Sequence, residues 1–265
     1  ELFGGYLKYI FGIKAKGILK IPFFLRNILY RLLIRISSNH INTLSNIPGL
    51  KKIKQFSNMF FKFREVLLSR NIDDLMDRSS NFLSAKDVEI FTGKKAKYDS
   101  RRIRPEKNQI ISYFGLKDID RYLPNDILTK VDRSSMSLGL EAREPFLDPE
   151  IIDFSFKLDD SFKYNKSLGG KFLLKKILEK YIDPKLINRP KQGFTIPLED
   201  WLKSFLKVEI FSIENDIKFF QVFDLDRNFY GKVIRSFYNN KGRYNPYFIW
   251  FVYCLYNWKK KWLGK

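Results

Sequence analysis

Two Asp-Pro pairs, Asp148-Pro149 and Asp183-Pro184, stand at the head of short apolar runs. Proline suits the first helical position, because the N–H it lacks would be unpaired there anyway. An aspartate just before it can accept from the free N–H groups of the first turn. Each pair therefore reads as a helix cap followed by the first helical residue. Pro22, Pro124 and Pro197 occupy comparable places ahead of runs with helical periodicity. Strand signals are sparse. The chain is predicted to be mostly α.

Taken in order, residues 7–36 read as helix, broken or restarted at Pro22. Phe24, Leu25, Ile28, Leu29, Leu32, Leu33 and Ile36 form a stripe, with Arg26, Arg31 and Arg35 off it. The stripe is expected to face a core; a membrane-surface helix is the other reading. Ser37 to Gly49 reads as a polar loop. Residues 50–92 read as two helices, the first with a stripe of Phe56, Phe60, Phe63, Val66 and Leu67. Lys94 to Lys107, with Arg101, Arg102 and Arg104, reads as a solvated connector. Asp118 to Gly139 is predicted helical, Gly139 being the stop. Leu140 to Phe146 is predicted extended, since Pro145 forbids a helix interior. Leu168-Gly169-Gly170 reads as a turn. Lys171 to Tyr181 reads as an amphipathic helix with Leu173, Leu174, Ile177 and Leu178 inward. A helix from Pro197 carries Trp201, Leu202 and Phe205 on one face, and an aromatic helix closes the chain from Pro246 to Trp262.

Composition narrows the function classes. Apolar residues make up 45% and aromatics 17%, enough for a buried core. One cysteine, Cys254, excludes a disulfide framework and favours a reducing, cytoplasmic setting. One histidine, His40, excludes a multi-histidine metal site, and any Ser-His-Asp triad would have to use it. The net charge is +20, and residues 1–70 hold 13 Lys/Arg against 2 Asp/Glu. Such a balance suits a phosphate, nucleic acid or acidic lipid partner. A Lys-, Ile-, Asn- and Phe-rich composition loads solvated faces with lysine whatever the function, and that reading is preferred. No nucleic-acid and no membrane partner is therefore expected.

Two stretches carry candidate chemistry. In Arg189 to Phe194, RPKQGF, Pro190 biases Arg189 out of the helical region and Gly193 frees the backbone. Lys191 between them is a compact point charge suited to phosphate oxygens, or else a surface lysine in a turn. In Lys130 to Asp148, KVDRSSMSLGLEAREPFLD, Glu141 and Arg143 lie two apart on an extended run and share a face. Arg143 can clamp a carboxylate or phosphate, or can join Glu141, Asp132 and Arg133 in an ion-pair network that positions the segment. Asp148 is explained by capping.

In this order and spacing, these residues resemble the C-terminal part of the asparagine synthase family. The family pattern is a KVDR-x-SM run, then LE-x-R-x-PFLD, then RPK-x-GF-x-x-P and a tryptophan. Here it is met by Lys130, Val131, Asp132, Arg133, Ser135, Met136, Leu140, Glu141, Arg143, Pro145 to Asp148, Arg189 to Lys191, Gly193, Phe194, Pro197 and Trp201. The opening ELFGGY is similar to the end of the family's SG-x-G-x-DELFGGY segment, through Glu1, Gly4, Gly5 and Tyr6.

The resemblance implies the C-terminal helical part of an α/β adenine-nucleotide α-hydrolase-like (ATP pyrophosphatase) synthetase domain. It implies ATP and Mg²⁺, aspartate as the adenylated carboxylate, and ammonia, free or from glutamine, as nucleophile. Lys191 matches the lysine that contacts the ATP phosphates. Arg189, Asp132, Arg133, Glu141 and Arg143, with Glu1, Gly4, Gly5 and Tyr6, fall where the family shapes its ATP and substrate pocket. The family's SGG-x-DS pyrophosphate loop and its glutaminase cysteine do not occur in the 265 residues. Residues 1–265 are therefore expected to be a C-terminal portion of the synthetase domain, inactive by itself and without metal ligands of its own. A homodimer is left open. Two alternatives are a paralogue that adenylates another carboxylate, which Glu144 leaves open, and a non-catalytic basic helical protein that binds nucleic acid or membrane.

Overall fold

The computed structural model describes residues 1–36, 56–95, 109–188, 196–239 and 246–264. His40, Arg101, Arg102, Arg104, Arg189 and Lys191 lie outside them. Two compact units divide the chain: Glu1–Gly17 with Ser100–Gly193, and Ile18–Asp99 with Phe194–Lys265. Both are helical. The one strand pairing among the described residues joins Tyr164–Asn165 to Gly169–Gly170, antiparallel. It replaces the turn expected at Leu168 to Gly170.

In the first unit, helix Leu7–Ala15 packs on helix Ile110–Asp120. Gly12 permits the approach, since a Cβ there would lie 1.9 Å from the Phe114 ring. After Asp120 come a π-helical turn, Leu123–Leu128, which contains Pro124, and the helix Thr129–Met136. Gly139, at φ +71°, follows that helix where a stop was expected. The Asp-Pro pairs act as predicted. The Asp148 carboxylate accepts from Glu150 N at 2.8 Å and opens helix Pro149–Lys157. Asp183 accepts from Lys185 N at 2.8 Å and opens the single turn Pro184–Ile187. Helix Phe172–Leu178 departs from expectation, because Ile177 and Leu178 are exposed rather than inward.

In the second unit, helices Leu198–Lys203, Lys207–Asn215, Ile217–Phe223, Arg227–Tyr238 and Pro246–Trp262 enclose an aromatic core. It includes Leu202, Ile210, Ile213, Phe219, Phe229, Tyr230, Ile234 and Phe248. Leu202 belongs to this core as expected, whereas Phe205 is exposed. Residues 56–92 form three helices rather than two: Phe56–Val66, Ile72–Ser80 and Ala85–Thr92. The Ser84 hydroxyl accepts from Asp87 N at 3.0 Å, and that cap starts the third helix.

Helix Phe23–Leu33 reverses the expected orientation. Phe24, Leu25, Ile28, Leu29 and Leu32 are exposed, and Arg26 is buried. The Arg26 guanidinium donates to the carbonyls of Ile21 (2.9 Å), Leu67 (3.0 Å) and Ser69 (2.5 Å). A charge with several such acceptors tolerates burial, so the helix docks through its arginine.

The core predicts an alkaline limit to stability. Tyr230 donates to the Ile210 carbonyl at 3.0 Å and Tyr238 to the Leu202 carbonyl at 2.6 Å. Burial raises the pKa of Tyr230 well above the ordinary phenol value and pushes Tyr238 up to about 12. The unfolded chain therefore releases these protons first. Their contribution is intact below pH 10 and declines as pH rises from about 10 toward 12. The thermal midpoint is expected to fall over that range, less steeply in Tyr238→Phe. A midpoint that stays flat to about pH 11.5 would contradict this.

Candidate functional site

In the first unit the opening ELFGGY segment lies against helix Ile110–Asp120 and meets the PFLD segment. Leu2 and Phe3 are buried. The Phe3 ring meets Phe146 edge-on at 5.8 Å, which joins the two motifs. The Phe3 carbonyl accepts from Lys171 N at 3.0 Å. Two glycines make room for the segment. A Cβ on Gly170 would lie 2.1 Å from the Gly4 carbonyl oxygen, and one on Gly115 would lie 2.6 Å from that of Glu1. Gly4 itself holds φ +68°, which strains any residue with a side chain.

Polar side chains lock this arrangement. Tyr6 OH donates to Glu1 Oε1 at 2.9 Å. Asp118, buried on the central helix, takes Lys8 Nζ at 2.6 Å and the Tyr9 hydroxyl. Lys8 Nζ also sits 4.7 Å from the centre of the Tyr122 ring, within cation–π range. Burial, reinforced by Asp118, raises the Tyr9 pKa, so this phenol stays protonated and donates throughout the physiological range. Burial, with the bond to Glu1, does the same for Tyr6.

A second network anchors the start of the same helix. Asp160 accepts from Ile111 N (2.7 Å), Ser112 N (3.1 Å) and Ser112 Oγ (3.0 Å). It caps Ile110–Asp120 from another element. Lys163, fully buried, donates to Ser112 Oγ at 2.7 Å and lies 5.3 Å from the Phe156 ring centre. Burial lowers its pKa, and the nearby carboxylates of Asp160 and Asp159 oppose that shift.

The site residues named from sequence divide into four sets. Glu1, Gly4, Gly5 and Tyr6 come together in the segment just described. Glu141 and Arg143 share a face as expected, with Arg143 Nη2 3.1 Å from Glu141 Oε1. Their side chains are 70% and 82% exposed, so the pair is a surface one and not an internal network. Asp132 and Arg133 are exposed on helix Thr129–Met136. Lys130 pairs with Asp126 at 2.6 Å. Arg189 and Lys191 fall outside the described residues.

Sequence reasoning missed Lys8, Tyr9, Asp118, Ser112, Asp160, Lys163 and Lys171. The last holds φ +59°, rare for a residue with a side chain, at the head of helix Phe172–Leu178. Its side chain crosses Gly5, where a Cβ would lie 2.6 Å from Lys171 Cε. The YLKY run beside the glycines was the available signal for Lys8 and Tyr9. Among the described residues, no three His, Cys, Asp or Glu side chains group as a metal site.

The first unit thus holds the glycine-bearing opening segment against the PFLD segment through Phe3 and Phe146. Residues 1–227 match the family model described as Asparagine synthase. The chain belongs to the asparagine synthase family. It is 39% identical over 87 residues to Asparagine synthetase (glutamine-hydrolyzing) 1 of Bacillus subtilis (strain 168), covering 33% of this chain and 14% of that protein. It is 36% identical over 87 residues to a Mycobacterium tuberculosis (strain ATCC 25618 / H37Rv) protein provisionally named an asparagine synthetase (glutamine-hydrolyzing), covering 33% and 13%. The matches thus span about a seventh of the length of these curated relatives. No solved structure matches the chain.

Proposed function

We propose that the chain contributes the helical C-terminal part of a synthetase domain that adenylates the side-chain carboxylate of aspartate. The carboxylate oxygen attacks the α-phosphorus of ATP and pyrophosphate leaves. Ammonia then attacks the acyl carbon of the mixed anhydride, AMP leaves, and asparagine is formed. The chemistry follows from leaving groups: a carboxylate resists attack by ammonia, whereas an acyl-adenylate does not. The observation that carries this reading is the order of ELFGGY, KVDR, PFLD and RPK-x-GF within a chain of this family.

In this reading Lys191 neutralises charge on the ATP phosphates as it builds up at the reacting phosphorus. Arg143 serves the substrate pocket when its exposed pairing with Glu141 opens. Tyr6, Glu1 and Lys171 hold the glycine segment in shape. Glutamine is proposed as the source of ammonia. The fold of the complete domain is proposed to be of the adenine-nucleotide α-hydrolase-like kind.

The test measures AMP from ATP, aspartate and ammonia. The 265 residues alone are expected to give none, and a polypeptide that also carries an SGG-x-DS loop segment is expected to give AMP and asparagine. AMP from the 265 residues alone would refute the division of labour. Pyrophosphate release with another carboxylate, and none with aspartate, would favour the paralogue reading that Glu144 leaves open.

A further inference from the structure

Helix Phe23–Leu33 presents its apolar side outward. At about 100° per residue, Phe24, Ile28 and Leu32 fall along one line and Leu25 and Leu29 along the next. Phe24 is 63% exposed, Ile28 53% and Leu32 56%. Ile21 and Phe23 extend the patch at its start. Single exposed apolar residues need no explanation, but a contiguous strip along three turns does. The helix is held in this attitude by the buried Arg26, which reaches the carbonyls of Leu67 and Ser69 on the opposite side and that of Ile21 just before the helix.

Charge identifies what suits the strip. Lys20 precedes the helix, Arg31 lies on it and Arg35 lies in the turn after it, and all three are exposed. From Leu7 to Arg64 the sequence has 12 Lys or Arg and no Asp or Glu. An apolar strip with cations at its edge and ends, and no neighbouring acid in sequence, complements a surface that is hydrocarbon within and anionic at the rim. Among the described residues no helix is long and apolar enough to cross a membrane; a short helix with an apolar strip and cations at its edge suits the plane of an interface.

We propose that the exposed face of helix Phe23–Leu33 docks on an anionic lipid surface, with Phe24, Ile28 and Leu32 entering the acyl boundary and Lys20, Arg31 and Arg35 at the headgroups. This departs from the expectation of no membrane partner. It is independent of the chemistry proposed above.

The test is co-sedimentation of the 265-residue chain with vesicles of phosphatidylcholine and phosphatidylglycerol at about 7:3, against phosphatidylcholine alone. Binding is expected to the anionic vesicles only and to weaken with salt. Phe24→Ser with Ile28→Ser is expected to lower it at least about tenfold. Lys20→Glu with Arg31→Glu and Arg35→Glu is expected to lower it by about 100-fold or more. These positions are exposed, and unchanged far-UV circular dichroism verifies folding. Equal affinity for both vesicle types, or none for either, overturns the proposal. So does vesicle binding that the two serines leave intact while they turn a dimer into a monomer, since a second copy then covers the strip. Loss of duplex-DNA affinity in the charge-reversed variant, without vesicle binding by the parent chain, assigns the cations to nucleic acid and likewise overturns it.

Discussion

Lys191→Ala, placed in a polypeptide that joins these residues to the pyrophosphate-loop segment, is expected to lower AMP formation by about 10²- to 10³-fold. The reasoning is chemical. In adenylation the protein makes no covalent bond, and its contribution is charge held where charge develops. Removal of one such cation costs about 2.7–4 kcal/mol of transition-state stabilisation. Lys191→Arg is expected to recover little, because a planar fork does not reproduce a compact ammonium. The loss should appear in turnover more than in the aspartate KM, because the role proposed for Lys191 is on the ATP phosphates and not on the amino acid. Turnover within a factor of three of the parent would remove Lys191 from the mechanism, and the family lysine would have to be sought elsewhere.

Asp118→Ala is expected to destabilise the first unit by about 3–5 kcal/mol. Asp118 is the common acceptor for Lys8 Nζ and the Tyr9 hydroxyl, and only 4% of it is exposed. Its removal strands an ammonium and a buried phenol together. Domains are stable by only about 5–15 kcal/mol, so a large part of the unit's margin is at stake. Urea unfolding followed through tyrosine fluorescence would report it. Lys8→Met combined with Asp118→Leu should recover much of the loss, because apolar replacement of both partners leaves no orphaned charge. If Asp118→Ala costs less than about 1 kcal/mol, the network is peripheral to the packing of the ELFGGY segment.

Local chemistry made the helix starts readable. Asp148-Pro149 and Asp183-Pro184 bring their own acceptor and fixed φ, and both open helices as expected. The attitude of helix Phe23–Leu33 was not readable. Periodicity marks a face but not the side on which the core lies. That was decided by the carbonyls of Leu67 and Ser69, 41 and 43 residues from Arg26. The site shows the same contrast. Glu141 and Arg143 meet because they are two apart on an extended run, whereas Asp118 reaches Tyr9 across 109 residues. Lys171 carries no sign in sequence of its left-handed backbone, which glycine or asparagine would have advertised. Lys191 and Arg189 rest on family membership alone.

The close crossing of Gly170 over the Gly4 carbonyl bears on how the polypeptide is made. The segment at Gly4 cannot be clamped until residue 170 has left the ribosome. At bacterial or eukaryotic elongation speeds that interval is roughly ten to thirty seconds. Throughout it Phe3 lacks its hydrogen bond from Lys171, and for most of it the Phe146 ring that it later meets, so nascent chains should engage chaperones early and let go once the hairpin emerges.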